Sequence, residues 1–107
     1  AEHYLKQKGL RLLERNFRCR SGEIDLIMLD QDKTLVFVEV KTRTREAFEA
    51  VESVITQAKR ARMVRAARYF LATHDIHDRP LRFDVVCVVG EQEPSPEIRH
   101  YDSAFVP

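Results

Sequence analysis

Two apolar runs between residues 22 and 43, joined by a four-residue polar turn, limit what this chain can fold into more than any other stretch. Residues 23–30 and 34–41 both read as strands, and each carries charge where a half-buried strand should be apolar. The connection around Gln31 and Asp32 is too short for a crossover, so the two strands are expected to pair as an antiparallel hairpin. Side chains alternate across a strand, which puts Glu23 and Asp25 on one face of the first. On the second, Leu35, Phe37, Glu39 and Lys41 share a face, and Val36, Val38 and Val40 take the other. Charges at such positions are costly to bury unless they are paired or bind a metal. The hairpin is therefore expected to hold the functional site as well as the middle of the fold.

The flanking sequence supplies the rest of an α/β domain. Residues 1–8 are good helix formers, and Gly9 stands where a helix would stop. Residues 10–19 suggest a first strand through Leu10, Leu12 and Phe17, although the alternation is imperfect, and Arg11, Arg15, Arg18 and Arg20 make this stretch basic. Residues 42–55 read as a loop with a helical turn near 48–51. Thr56 is a candidate N-cap for a helix reaching about residue 73. On that helix Met63, Val64, Ala67, Phe70 and Leu71 form an apolar stripe, with Arg62, Arg65 and Arg68 on roughly the opposite side. Residues 81–89 are β-branched and apolar enough for an interior strand. Within them Asp84 needs a partner, and Arg82 is the nearest on its own face. Residues 98–106 suit a last strand or a helix. The expected fold is a single α/β domain over residues 1–107, a mixed sheet flanked by helices in the order α-β-β-β-α-β.

Composition sets the outer limits. With 18 basic and 17 acidic residues the net charge is only +1, so any affinity for nucleic acid must rest on local patches. No apolar run approaches the ~18 residues of a membrane span, and no secretory signal is visible, which points to a cytoplasmic protein without a membrane partner. Cys19 and Cys87 lack metal-type spacing and are expected to be reduced, buried thiols rather than a disulfide. The sequence starts at Ala1 rather than Met, so its N-terminus is read as incomplete.

Thirteen residues separate Asp25 from Glu39, and a short-turn hairpin brings both to its open end. Two converging carboxylates repel each other unless a divalent cation lies between them. Mg²⁺ suits such a pair, because it favours oxygen ligands and keeps several waters. Lys41, beside Glu39, could orient or deprotonate a water, or stabilise developing negative charge. Together these parts suit metal-assisted hydrolysis of a phosphodiester. The plainer alternatives are a surface ion pair between Glu39 and Lys41, or a scaffold whose acids meet a basic partner.

Asp25 followed by Glu39-Val40-Lys41 at the end of an apolar strand resembles the signature of the PD-(D/E)XK nuclease superfamily. The phrases from Leu13 to Arg18, from Gly22 to Ile27 and from Val36 to Arg43 resemble, in order, those of the YraN family of small bacterial proteins within it. The likeness covers roughly residues 1–90. It implies a restriction-endonuclease-like core, Mg²⁺ or Mn²⁺ as cofactor and DNA as substrate, with branched or recombination intermediates among the targets. By this resemblance Asp25 and Glu39 bind the metal and Lys41 completes the catalytic set. Glu2 resembles the helix-borne metal ligand of resolvase-like members, and Gln57 the glutamine of RecB-type members. Ile24 stands where the motif has proline. Glu23 is a secondary candidate. Arg43, Arg45 and Lys59 flank the site and, with Arg62, Arg65 and Arg68, could contact phosphates. Resolvase-like relatives act as dimers, which makes a homodimer an expectation. The rival reading is a nuclease-fold protein that binds DNA as an accessory factor without turnover.

Overall fold

The computed structural model describes residues 1–45 and 55–106, so the helical turn expected near 48–51 lies outside the described residues. Helix α1 (Glu2–Gln7) leads into β1 (Arg11–Cys19), β2 (Gly22–Leu29) and β3 (Leu35–Arg43). Helix α2 (Gln57–Thr73), β4 (Leu81–Val89) and β5 (Glu97–Phe105) follow. The five strands form one sheet in the order β1-β2-β3-β4-β5. All neighbours are antiparallel except β3 and β4, which run parallel with Leu35 opposite Leu81 and Arg43 opposite Val89. The expected α-β-β-β-α-β order of a restriction-endonuclease-like core is present, and residues 97–105 resolve the last segment as a strand. Among the described residues no helix is long and apolar enough to cross a membrane.

Strand β3 shows why the sheet is covered on both sides. Leu35 and Phe37 enter one core with Ile27, Phe83, Val85 and, from α2, Met63, Ala66, Ala67 and Phe70. Val36 and Val38 enter the other, with Leu26, Met28, Val86 and Leu5 of α1. The two helices therefore pack on opposite faces of a sheet whose central strands are apolar on both sides, as a parallel pair requires. Thr56 caps α2 by accepting from the Lys59 backbone N–H at 3.2 Å, as its sequence position predicts. Cys19 and Cys87 are free thiols, and burial pushes the Cys87 thiol above its ordinary range despite nearby Arg43, Arg99 and Lys41.

Strand β1 departs from simple alternation for two reasons. Its pairing with β2 slips by one residue between Leu12 and Glu14. Further on, Asn16 adopts φ 52°, in the left-handed region that asparagine tolerates better than most residues. The ladder passes from Arg15 opposite Leu26 to Phe17 opposite Ile24, skipping Asn16 and Asp25. Here both strands turn over: Leu26 lies in the α1-side core, whereas Ile24 lies in the α2-side core. The irregularity thus falls opposite Asp25.

Candidate active site

Pairing of β2 with β3 runs from Leu29 opposite Leu35 to Leu26 opposite Val38 and stops there. The next step in that register would set Asp25 against Glu39. Instead the Asp25 side chain takes over: its Oδ2 accepts the Val40 backbone N–H at 2.7 Å. A carboxylate thus fills the place of a strand carbonyl, and the two strands separate beyond it. The open end of the hairpin is where the sequence predicts the two acids to meet.

Glu39 is only 3% exposed. Its charge is met by two ammonium groups on the same oxygen, Oε2: Lys41 Nζ at 3.2 Å and Lys59 Nζ at 2.8 Å. Lys41 comes from the same face of β3, two residues on. Lys59 comes from the first turn of α2, across the sheet face that α2 covers. Burial lowers the affinity of Lys59 for its proton, but its hydrogen bond to Glu39 and the charges of Glu39 and Asp25 outweigh it, leaving its pKa above the usual lysine range. The lysine therefore senses both acids. Sequence reasoning set Lys59 among phosphate contacts; the structure sets it on the buried acid. Its position one helical turn inside an N-cap, facing the sheet, is the signal that could have found it.

The outlying candidates go to different places. Glu2 and Asp25 line one cleft of about 340 Å³ with Arg15, Asn16 and Val40. Within it Glu2 is held by Arg15 through two hydrogen bonds of 2.8 and 3.0 Å and by Lys6 at 2.8 Å. Those partners lower its pKa to about 2. No group of three His, Cys, Asp or Glu side chains among the described residues is close enough to hold a metal together. Glu23 corrects the expectation that it stands beside Asp25. The turnover of β2 at Asp25 breaks the alternation, and Glu23 meets Arg18 at 3.5 Å near the β1–β2 turn. Gln57 is an exposed first-turn residue of α2.

The arginines also divide. Arg45 is engaged by Glu93 at 2.9 Å and Glu97 at 3.0 Å, so it braces the β4–β5 connection rather than presenting a free cation. Arg43 folds back onto the Thr42 carbonyl at 2.7 Å. Arg62, Arg65 and Arg68 remain an exposed strip on α2.

Residues 1–88 match a family described as "Uncharacterised protein family UPF0102". A UPF0102 protein of Nitrosomonas europaea is 50% identical over 105 residues, covering 98% of this chain and 86% of that protein. One from Geotalea uraniireducens is 44% identical over 102 residues, covering 95% and 80%. One from Alcanivorax borkumensis is 42% identical over 106 residues, covering 98% and 84%. The chain belongs to the UPF0102 family. That family is the YraN-like nuclease-fold group that the sequence phrases resemble.

This UPF0102 chain carries a second polar centre that sequence reasoning saw only in part. Asp84 is fully buried. It accepts from Arg82 Nε at 3.1 Å, as its strand face predicts, and also pairs with His100 Nε2 at 2.7 Å and accepts from the Ser103 N–H at 3.0 Å. The Lys8 ammonium, 3.1 Å from His100 Nδ1, can only donate there, which leaves Nε2 as the proton-bearing nitrogen facing Asp84. Arg82 reaches on to Asp30 at 3.1 Å. Strand β5 shifts register opposite Asp84, with Ser103 at φ 50°. The acid pins the β4–β5 edge and α1 together, on the face away from Lys59.

Proposed function

We propose that this UPF0102 chain is a divalent-metal-dependent endonuclease that hydrolyses DNA phosphodiesters, with branched or recombination intermediates as its substrates. The observation that carries the reading is the separation of β2 from β3 at Asp25, which leaves two carboxylates and two lysines at one open strand end. Among the described residues the buried Glu39 is compensated by two lysine ammonium groups, a poor structural choice, since a buried ion pair contributes little net stability. It is a good choice for a site whose charge must be met by ligand.

The donor set fits Mg²⁺ or Mn²⁺. Asp25 and Glu39 offer hard carboxylate oxygens, and a two-carboxylate site completed by water and phosphate is the usual Mg²⁺ arrangement. Among the described residues Asp25 Oδ1 carries no hydrogen bond, so one oxygen stays available while Oδ2 holds the Val40 N–H. When bound, the ion would supply charge neutralisation at the phosphate and a more acidic water. Lys41 would orient the attacking water and stabilise the negative charge that develops on phosphorus oxygens. Lys59, 2.8 Å from Oε2, would neutralise Glu39 from α2 until the ion takes its place. Asp25 would keep the strand end open through Val40. Glu2, bound to Arg15 and Lys6, is left out of the metal set.

The test is cleavage of linear, single-stranded and four-way-junction DNA with Mg²⁺ or Mn²⁺. Activity abolished by Glu39→Ala, with circular dichroism unchanged, supports the reading; cleavage that survives this change ends it. One observation favours a second reading, a DNA-binding accessory factor without turnover: Glu2 is neutralised by Arg15 and Lys6 rather than turned to Asp25. Clean protein that binds DNA and cuts none of the three substrates would select it.

A further inference from the structure

The turn between β1 and β2 is fastened to α2. Gly22 lies so close to the helix that a Cβ there would collide with the Arg62 carbonyl oxygen. Arg65 Nε donates to the Ser21 carbonyl at 3.3 Å. A turn and a helix face that are far apart in sequence are thereby held as one surface. Between them runs a cleft of about 340 Å³ lined by Arg18, Arg20 and Arg62, with Glu23 as the one acidic lining residue among the described residues. Glu23 is 56% exposed and pairs with the 74%-exposed Arg18 at 3.5 Å, an exposed pairing that a better anion can displace. Arginine suits such a place because its planar fork grips phosphate oxygens in pairs.

We infer that this cleft seats the phosphodiester backbone of one DNA strand and sets where that strand crosses the Asp25–Glu39 end of the hairpin. The inference rests on the nuclease reading for the identity of the strand, but the binding it predicts requires no turnover. Gly22 and Asp25 are three residues apart on β2, roughly 10 Å at about 3.3 Å per residue. Each strand of B-form DNA carries one phosphate per about 3.4 Å of helix axis, and successive phosphates lie farther apart than that along the strand itself. The seated phosphate therefore lies no more than about three nucleotides from the one at the carboxylates. The tight Gly22–Arg62 approach fixes that spacing, because the turn cannot move without the helix.

The experiment measures binding of a fluorescein-labelled single-stranded 20-mer by anisotropy, without divalent ions, across a range of NaCl. Compared are the wild type, Arg20→Ala/Arg62→Ala, the Lys counterparts, and Arg79→Ala as an exposed control outside the cleft. The double Ala variant should bind at least tenfold more weakly, and its log–log salt slope should fall by about 1.4, at roughly 0.7 for each phosphate of a single strand that is no longer neutralised. The Lys counterparts should recover most of that slope. Unchanged binding by the double variant, or an equal loss in Arg79→Ala, overturns the cleft. A wild type that binds through these arginines yet cuts nothing sinks the enzymatic reading and leaves the cleft standing. One that cuts while the double variant binds and cuts normally sinks the cleft alone.

Discussion

Asp25 closes the β2–β3 ladder with its side chain, Oδ2 accepting the Val40 N–H at 2.7 Å, and thereby opens the strand end on which Glu39 and Lys41 stand. This bond gives Asp25 a structural task separable from any metal. Asp25→Ala orphans the Val40 N–H and should destabilise the fold by about 1–3 kcal/mol, read from urea denaturation. Asp25→Asn keeps a carbonyl oxygen for the same N–H and should recover most of that loss while still failing to bind Mn²⁺. Equal stability losses in the two variants would show that the bond is not what Asp25 contributes.

Much of this arrangement could be read before the fold was known. The period-two pattern of residues 34–41 assigns Leu35, Phe37, Glu39 and Lys41 to one face, and the two cores divide along that line. The short turn at Gln31 and Asp32 fixes a register whose next step joins Asp25 to Glu39. What sequence could not give came from backbone departures and from the meeting of distant elements. The slip after Leu12 and the left-handed Asn16 erase alternation in β1 and turn β2 over at Asp25, which removes Glu23 from the site. Lys59 and Glu39 are twenty residues apart and meet only because α2 lies across the sheet. Arg45 looks like a free cation until Glu93 and Glu97 arrive from β4–β5.

Lys59 should govern how readily a cation reaches Glu39. Its ammonium lies 2.8 Å from Oε2, so a divalent ion must share or displace it. At an effective dielectric near 20, a unit charge about 4 Å away is worth about 4 kcal/mol, ample to matter even after heavy solvent screening. Lys59→Met is expected to tighten Mn²⁺ binding at least several-fold, measured by electron paramagnetic resonance of free Mn²⁺. It should also lower stability in metal-free buffer by about 1–3 kcal/mol, because Glu39 loses one of its two partners among the described residues. Weaker Mn²⁺ binding in the variant would mean that Lys59 organises the carboxylates rather than competing for them.

Acid should release α1 late. The Glu2 carboxyl is held at about 2 by Arg15 and Lys6, against an ordinary value of 4.5. Because the folded value lies below the unfolded one, the contribution of this cluster is fully present above about pH 4.5 and is lost as pH falls toward 2. Amide exchange at Leu5, whose N–H bonds the Ala1 carbonyl and whose side chain anchors α1, reports the docking. Protection at Leu5 should persist to pH 4 and fade below pH 3 in the wild type. Glu2→Gln should lower it at neutral pH while leaving Mn²⁺ affinity unchanged, since Glu2 is already engaged by cations of its own chain.

Asp84 offers a check from the opposite face. It is fully buried and satisfied by Arg82, His100 and the Ser103 N–H, so removing it leaves His100 without its acid and Arg82 with Asp30 as its remaining carboxylate partner. Breaking a buried charge pair by deleting one partner costs about 3–5 kcal/mol. Asp84→Ala should fall in that range by chemical denaturation, with β5 the first strand to lose amide protection. His100→Phe should cost less, because Arg82 and Ser103 still meet the carboxylate and only the bonds at Nε2 and to Lys8 disappear. Both variants, studied below their unfolding transitions, should bind Mn²⁺ like the wild type, for the network lies on the α1 face and Glu39 is gripped from the α2 face. A Mn²⁺ affinity that followed the stability of Asp84→Ala would mean that the sheet carries strain from β5 to the hairpin and that the two polar centres are one system.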